Sequence, residues 1–165
     1  MPLRQDYLPY PYTFSEIHLS LHLDAHATQV RTRIAFERKA GFEAHELILD
    51  GEHIELISVA LNGNPLSATD YTRTDKNLTL HNSPAQGELE ITTTCTPISN
   101  TSLSGLFATG KHLMSQCEAE GFRRITYFAD RPDVLTVYTV ELIADKATYP
   151  VLLANGNLLE AHDLD

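Results

Sequence analysis

The sequence predicts an all-β fold, either an antiparallel sandwich or a related architecture of two sheets. Apolar and polar residues alternate along many short segments, which is the pattern of half-buried strands. Turn signals separate these segments at intervals of roughly 8–12 residues, a spacing typical of sandwiches. No segment has a convincing amphipathic helical pattern. Because 165 residues without a break in composition suit one domain, we expect a single β domain over residues 1–165.

The first predicted element is a hairpin near the N-terminus. EIHLSLHLD (16–24) places isoleucine and leucines on one face and polar residues on the other. QVRTRIAFER (29–38) repeats this pattern, with only Thr32 interrupting the apolar face. DAHAT (24–28) lies between them and supplies the turn, so the two segments are predicted to pair.

Further strands are predicted along the rest of the chain. They are HELILD (45–50), IELISVALNG (54–63), YTRT (71–74), NLTLH (77–81), ELEITTTCTPI (88–98), VLTVYTVELIAD (134–145) and YPVLLANGNLL (149–159). VLTVYTVELIAD is rich in β-branched residues and is predicted to be the longest strand. SNTSLSGLFATGKH (99–112) is rich in small polar residues and is predicted to be an irregular loop.

Composition excludes several classes of function. A formal net charge of −10 argues against nucleic acid as a partner, because phosphate contacts need clustered Lys and Arg. No segment approaches the ~20 apolar residues of a membrane span, and the first residues lack the apolar core of a signal peptide. Two cysteines, Cys95 and Cys117, are expected to be reduced thiols. We therefore expect a cytoplasmic protein with neither nucleic-acid nor membrane partners.

Histidine spacing does not predict a metal site in this chain. His18 and His22 would share the solvent face of a strand about 13 Å apart, too far for one ion to bridge. HELIL (45–49) begins like the zinc-binding helix motif H-E-x-x-H, but the position of the second histidine is Leu49. That segment also has a strand pattern, so no zinc site is expected there.

The segment LMSQCEAEGFRRITYFADRPD (113–133) concentrates charges beside a cysteine. In extended backbone, Gln116 and Glu118 point to one face while Cys117 points to the other, where it would be buried. A carboxylate at a strand end can bind an ammonium group, and a neighbouring amide can shape the pocket beside it. The alternative is that these acids pair with the arginines of the same segment in a structural network. An acid-pair hydrolase using Glu118 and Glu120 is disfavoured, because no acid from a second strand is implied.

QCEAEGFRRITYFADRPDV (116–134) resembles the motif Q-C-E-x-E-G-F-R-x-I-T, followed by D-R-P-D-V, of bacterial aminopeptidase N. That family comprises zinc-dependent aminopeptidases of the gluzincin type. The segments LILDGEHIELISVALNG, SNTSLSGLFATG and ADKATYPVLLANGN also look like family segments, so the resemblance covers about residues 6–158. It implies a saddle-shaped β-sandwich, antiparallel or mixed, that is the N-terminal domain of the enzyme and packs against its zinc-bearing catalytic domain.

The resemblance also implies roles for two residues. Glu118 would accept the free α-amino group of a peptide substrate, and Gln116 would line the pocket for the first side chain. The neighbouring charges would hold these residues rigid and dock the catalytic domain. The zinc ligands of H-E-x-x-H and the G-A-M-E-N motif belong to that catalytic domain, and neither motif occurs in this sequence. The chain alone is therefore expected to contain no catalytic residue, no metal ligand and no peptidase activity.

A second interpretation is a stand-alone β-sandwich that binds a ligand without catalysis. The two interpretations predict different surfaces around residues 99–133. A domain of a larger peptidase should present a large apolar or charged docking surface there. A stand-alone module should present a polar surface instead.

Overall fold

The computed structural model describes residues 7–164, which form eleven strands and two short 3₁₀ turns. The strands are β1 (Tyr12–Leu23), β2 (Thr28–Arg38), β3 (Leu47–Asp50), β4 (Glu55–Leu61), β5 (Asn64–Pro65), β6 (Tyr71–Arg73), β7 (Asn77–Leu80), β8 (Gln86–Cys95), β9 (Gly105–Thr109), β10 (His112–Gln116) and β11 (Val137–Ala144). The 3₁₀ turns are Pro97–Ser99 and Phe122–Arg124. Between residues 7 and 164, no helix is long and apolar enough to cross a membrane.

The strands form three sheets. The largest has six strands in the order β11-β1-β2-β8-β4-β5, the second has the order β3-β7-β6, and β9 pairs with β10 alone. β11 runs parallel to β1, and the other neighbours in the six-stranded sheet are antiparallel. The predicted all-β fold class is therefore confirmed, and the largest sheet is mixed.

The predicted β1–β2 hairpin is confirmed, and its turn is closed by Asp24. The Asp24 carboxylate accepts hydrogen bonds from the backbone N–H groups of His26 at 2.7 Å and Ala27 at 3.0 Å. Thr32, which interrupts the apolar face of β2, is nevertheless buried. Its hydroxyl oxygen lies 2.7 Å from that of Thr126, so each buried hydroxyl has a partner.

The six-stranded and three-stranded sheets bury their inner side chains in one shared core. The six-stranded sheet contributes buried residues such as Ile17, Val30 and Ile34, and the three-stranded sheet contributes Leu47, Leu49, Leu78 and Leu80. Side chains on the opposite face of β1 and β2 are mostly polar and more exposed. This division is what the alternating sequence predicts, because successive side chains of a strand point to opposite faces.

Three predictions about elements are wrong. Residues 99–112 are not one irregular loop, because β9 begins at Gly105 and pairs with β10 across a turn at Gly110. β11 has eight residues and is shorter than the twelve-residue β1, so it is not the longest strand. The segment 149–159 contains no strand, and residues 150–164 are exposed throughout. A strand requires a hydrogen-bonded neighbour, and this segment pairs with no strand within residues 7–164.

An ion pair between Arg131 and Asp133 ties the N-terminal segment to the chain before β11. The guanidinium donates from Nε at 2.8 Å and from Nη2 at 3.0 Å to the two carboxylate oxygens. The same carboxylate accepts from the Tyr7 hydroxyl and the Tyr10 backbone N–H, and Arg131 also donates to the Leu8 carbonyl. Chiefly through the hydrogen bond from Arg131, the pKa of Asp133 is held well below its usual range.

We expect Asp133→Asn to lower the free energy of unfolding by about 1 kcal/mol at pH 7, since it weakens a charge-assisted pair. Because folding lowers the pKa of Asp133, its stabilisation is complete above the unfolded pKa of about 3.9. It is lost as the pH falls through the lower pKa of the folded state. Urea titrations at pH 7, 5 and 3 measure the free energy of unfolding of the variant and of the parent. The variant should be less stable than the parent at pH 7 and 5, and the difference should be smaller at pH 3. Asp75→Asn, in the exposed turn before β7, is the control and should be as stable as the parent at each pH. If Asp133→Asn loses the same free energy of unfolding at pH 3 as at pH 7, the prediction is contradicted.

Candidate functional site

The charged segment 113–133 begins on β10 and continues into a tight turn. β10 ends at Gln116, which is in register with Gly105 of β9. The chain then turns through residues 117–121, where the backbone N–H of Gly121 donates to the Cys117 carbonyl at 3.0 Å. The 3₁₀ turn Phe122–Arg124 follows at once. The site is therefore a short turn between a hairpin strand and a 3₁₀ turn.

Two glycines allow these elements to approach closely. A Cβ at Gly121 would lie 2.4 Å from the Gln116 carbonyl oxygen and 2.7 Å from the Cys117 Cα. A Cβ at Gly105 would lie 2.6 Å from the Cβ of Arg124, and Gly105 also has a φ of 77°. Because the atoms facing Gly121 are backbone, they cannot move aside as a flexible side chain can. The shape of the turn therefore depends on glycine at position 121.

Phe122 anchors the turn to the body of the fold. Its ring packs edge-to-face on Phe128 with centroids 5.4 Å apart, and on Tyr138 of β11 at 5.7 Å. Phe128 in turn lies 5.3 Å from Phe14 of β1. This row of aromatic rings connects the turn to two strands of the six-stranded sheet.

The structure brings Gln116 and Glu118 together, but not by the predicted route. The extended backbone ends at Gln116, so Glu118 lies in the turn rather than two residues along a strand. The Gln116 side-chain amide donates to the Glu118 carbonyl at 3.1 Å, and both side chains are exposed. The prediction that Cys117 is buried is wrong: it is a free, exposed thiol. The turn exposes it because position 117 no longer alternates across a sheet.

The neighbouring acids and arginines form ion pairs, which are part of the structural network left open by the sequence. Arg123 lies 3.4 Å from Glu120 and 3.1 Å from Asp130. Arg124 lies 3.4 Å from Glu52 and donates to the Ser102 hydroxyl. This network extends from the turn to the 99–104 loop and to the chain after β3.

Glu118 differs from the other acids of the segment. Glu120, Asp130 and Asp133 each pair with an arginine. Within residues 7–164, by contrast, the Glu118 carboxylate has neither an ion pair nor a hydrogen-bond donor. A structural network therefore explains the neighbours of Glu118 but gives no role to Glu118 itself. Its carboxylate is free to accept hydrogen bonds from a cation outside this part of the chain.

Nearby protein atoms desolvate two titratable groups around the turn and raise their pKa values. Although Cys117 is exposed as a residue, this partial desolvation raises the pKa of its thiol, with the Asp130 carboxylate adding to the effect. Burial, then Asp130 and Cys117, raise the pKa of Tyr138 to about 12. Both shifts favour the protonated form of the group, the opposite of the pKa lowering that activates a cysteine nucleophile.

Between residues 7 and 164, no three His, Cys, Asp or Glu side chains are placed to hold a metal ion. His18 is half exposed and lies 3.0 Å from Glu16 on the outer face of β1. His45 precedes β3, and Leu49 is fully buried within that strand. The residues described here therefore do not fit a zinc ion.

Exposed apolar side chains extend beyond the predicted surface at 99–133. Within that range the large exposed ones are Leu103 and Met114. More large exposed apolar side chains follow residue 133. They lie just before β11, on β11 and in the C-terminal segment: Leu135, Val137, Val140, Val151, Leu153, Leu158 and Leu159. β11 is also an edge strand, so its backbone on one side has no neighbouring strand within the described residues.

Comparison with known proteins identifies the family. The model of the peptidase M1 N-terminal domain matches residues 9–165. The chain belongs to this family. The M1 N-terminal domain described here is 42% identical over 165 residues to aminopeptidase N of Haemophilus influenzae, covering 98% of this chain and 19% of that protein. The resemblance to aminopeptidase N predicted from the motif at 116–134 is thus confirmed.

Solved structures of the family share the fold. Aminopeptidase A of Legionella pneumophila, crystallised in complex with aspartic acid, superposes with a TM-score of 0.90 at 32% identity. The match covers 97% of this chain and 19% of that one. An M1 zinc metallopeptidase from Deinococcus radiodurans has a TM-score of 0.68 at 15% identity over 81% of this chain and 32% of its own, which shows the fold alone. The M1 N-terminal domain thus spans about a fifth of the curated relative and of the Legionella enzyme.

Proposed function

We propose that residues 1–165 are the N-terminal domain of a zinc-dependent aminopeptidase that removes N-terminal amino acids from peptides. In this proposal the domain packs against a catalytic domain and contributes two substrate contacts. Glu118 binds the α-amino group of the substrate, and Gln116 lines the pocket for the first side chain. The observation that carries the proposal is the exposed Glu118 carboxylate, the one acid of its segment without a cation partner within residues 7–164.

The chemistry of a peptide N-terminus suits this carboxylate. A free α-amino group has a pKa of about 7.7–8.0, so it is largely cationic at pH 7. Covered by a catalytic domain, Glu118 would hold that charge in a site from which water is excluded, where charge-assisted hydrogen bonds are strong. An acylated N-terminus has no charge and could not satisfy the carboxylate. The site would therefore select peptides with a free amino group.

The hydrogen bond between Gln116 and Glu118 supports a joint role for the two residues. The Gln116 amide donates to the Glu118 carbonyl, which fixes the side chain against the turn. Its carbonyl oxygen then remains available to the pocket, because a side-chain amide has both donors and an acceptor. One side chain would thus hold the turn and face the substrate.

Zinc belongs to the proposal only as a component of the catalytic domain, because residues 7–164 contain no fitting cluster. When bound there, it would activate the water that attacks the peptide bond. The chain described here would supply no ligand to it and no catalytic residue. We propose a cytoplasmic location for the enzyme, in agreement with its two free thiols, Cys95 and Cys117.

The exposed apolar residues support a docking role over a stand-alone binding module. Leu135, Val137 and Val140 in particular lie on or just before the edge strand β11, where a neighbouring domain could cover them. Denaturing electrophoresis of the natural protein, detected with an antibody against this domain, separates the two interpretations. A band several times heavier than 18.4 kDa supports a domain of a peptidase. A band at 18.4 kDa supports the stand-alone module and removes the zinc chemistry.

The substrate contact is tested by Glu118→Gln in the full-length protein that contains this chain. We expect the KM for an aminoacyl substrate with a free amine to rise roughly 100-fold, or about 2.7 kcal/mol, the loss typical of a desolvated charge pair. The preference for the free amine over its N-acetylated analogue, compared as kcat/KM, should shrink by a similar factor. Steady-state kinetics on both substrates measures the two effects.

Glu37→Gln, which neutralises an exposed carboxylate on β2, is the matched control and should leave both quantities unchanged. An unchanged KM and an unchanged preference in Glu118→Gln would remove Glu118 from the substrate site. A full-length protein without peptidase activity would contradict the enzymatic proposal itself.

A further inference from the structure

Arg123 is the most highly connected charged residue around the turn. Its side chain is only 13% exposed, which is low for an arginine. The guanidinium donates from Nε to the Asp130 carboxylate at 3.1 Å and from Nη2 to the Asp130 carbonyl at 2.9 Å. Nη2 also lies 3.4 Å from Glu120, and Nη1 lies 3.9 Å from Glu52. One side chain therefore contacts the turn, the chain after β3 and the chain before β11.

The backbone of Arg123 makes the same connections. Its N–H donates to the Asp130 carboxylate at 3.2 Å, and its carbonyl accepts from the Glu52 N–H at 2.9 Å. Asp130 is itself fixed, because its N–H donates to the Asp50 carboxylate at 3.0 Å. Asp50 pairs through its backbone with Phe128. The partners of Arg123 are thus held by the end of β3 and form a rigid reference for the turn.

The turn needs such support at Glu120. This residue has a φ of 65°, in the left-handed region that residues other than glycine rarely adopt. Its side chain is 69% exposed, and within residues 7–164 its one ion-pair partner is Arg123. The pair therefore joins the strained residue of the turn to the rigid side of the site. Glu118, two residues earlier, has no side-chain hydrogen bond or ion pair within residues 7–164, so its position follows that of this backbone.

We propose that Arg123 is a positioning residue that acts through Glu120 to hold the Glu118 carboxylate towards the substrate amine. This inference rests on the proposed function, because it assumes that Glu118 binds that amine. Arg123 itself does not face the substrate, since its guanidinium is occupied by Asp130 and Glu120. A displacement of about 1 Å can cost a site up to about 100-fold in rate, so the position of an otherwise unsupported carboxylate matters.

The test uses the full-length protein and a double-mutant cycle between Arg123→Gln and Glu118→Gln. Arg123→Gln alone is expected to raise the KM for a free-amine substrate about tenfold, with kcat within about threefold of the parent. The KM of Arg123→Lys should be closer to that of Arg123→Gln than to that of the parent, because an ammonium group cannot reproduce the planar set of donors of a guanidinium. In the Glu118→Gln background, Arg123→Gln should raise KM less than about twofold, because the residue through which it acts is gone.

Two further variants keep the test informative if Arg123→Gln folds poorly. Glu120→Gln removes the residue on the turn through which Arg123 acts, so it should raise KM about as much as Arg123→Gln does, roughly tenfold. Arg31→Gln makes the matched substitution at an exposed arginine of β2 and should change nothing. A parental KM in both Glu120→Gln and Arg123→Lys would overturn the inference.

The outcomes distinguish the inference from the proposed function. If Glu118→Gln leaves KM unchanged, the substrate contact itself fails. If Glu118→Gln raises KM while Arg123→Gln has its full tenfold effect in both backgrounds, the substrate contact stands. Arg123 would then act independently of Glu118, and only the positioning role fails.

Discussion

Gly51→Ala should lower the free energy of unfolding by about 3 kcal/mol, the upper part of the range for overpacked cores. A Cβ at this position would lie 2.2 Å from two carbons of the Tyr127 ring, a distance that real atoms do not reach. Tyr127 is 1% exposed and packs within the core, so its ring cannot move aside into solvent. Gly51 is equally fixed, because its N–H donates to the Lys76 carbonyl and the preceding Asp50 pairs with Phe128.

Urea titration of the M1 N-terminal domain measures this effect. Gly41→Ala is the control, because Gly41 has a φ of 85° but no atom within 4 Å of its added Cβ. Gly41→Ala introduces backbone strain but no steric clash, so it should lower the free energy of unfolding by only about 1 kcal/mol. A loss in Gly51→Ala no larger than that of Gly41→Ala would mean that Tyr127 repacks freely, contrary to the prediction.

Leu49→His should lower the free energy of unfolding by about 4 kcal/mol and should not create a zinc site. The substitution completes the letters H-E-x-x-H from His45 to position 49. Leu49, however, is fully buried in β3, where it is in register with Leu78 of β7. The imidazole would replace a packed side chain in an apolar core. On extended backbone it would also lie about 13 Å along the chain from His45, out of reach of a shared ion.

Urea titrations with and without zinc test both halves of this prediction. Leu49→Ala is the matched control, because it loses the packing of leucine without burying a polar ring. Leu49→His should be no more stable than Leu49→Ala, and zinc should stabilise neither relative to the parent. If zinc raised the free energy of unfolding of Leu49→His alone, the H-E-x-x-H sequence would bind zinc despite the strand, contrary to the prediction.

The pattern of alternation correctly predicts the strands that carry the core. β1, β2, β3, β7 and β8 were all predictable, because half-buried strands leave a period of two in the sequence. β9 and β10 were missed because small polar residues around Gly105 and Gly110 have the composition of a loop. Residues 149–159 have the apolar composition of a strand, but no described strand lies beside them to form the hydrogen bonds that a strand requires.

The candidate site was only partly predictable. The motif at 116–134 indicates both the family and the two residues proposed to contact substrate. Their geometry was predicted on the wrong backbone, because periodicity gives no warning that β10 ends at Gln116. The role proposed for Arg123 could not be distinguished from that of Arg124 or Arg131 in the sequence, since its partners Glu52 and Asp130 come from separate parts of the chain.

The sequence by itself determined the fold class, the inner and outer faces of the main strands, and membership of the M1 N-terminal family. These properties follow from residue order alone, because side-chain alternation and family motifs are local. Only the tertiary structure decided which acids are paired, that Cys117 is exposed and that Glu118 stands without a partner within the described residues. Pairing and exposure depend on contacts between distant segments, such as that of Arg123 with the chain after β3. The distances across those contacts are set by packing, which no local pattern records.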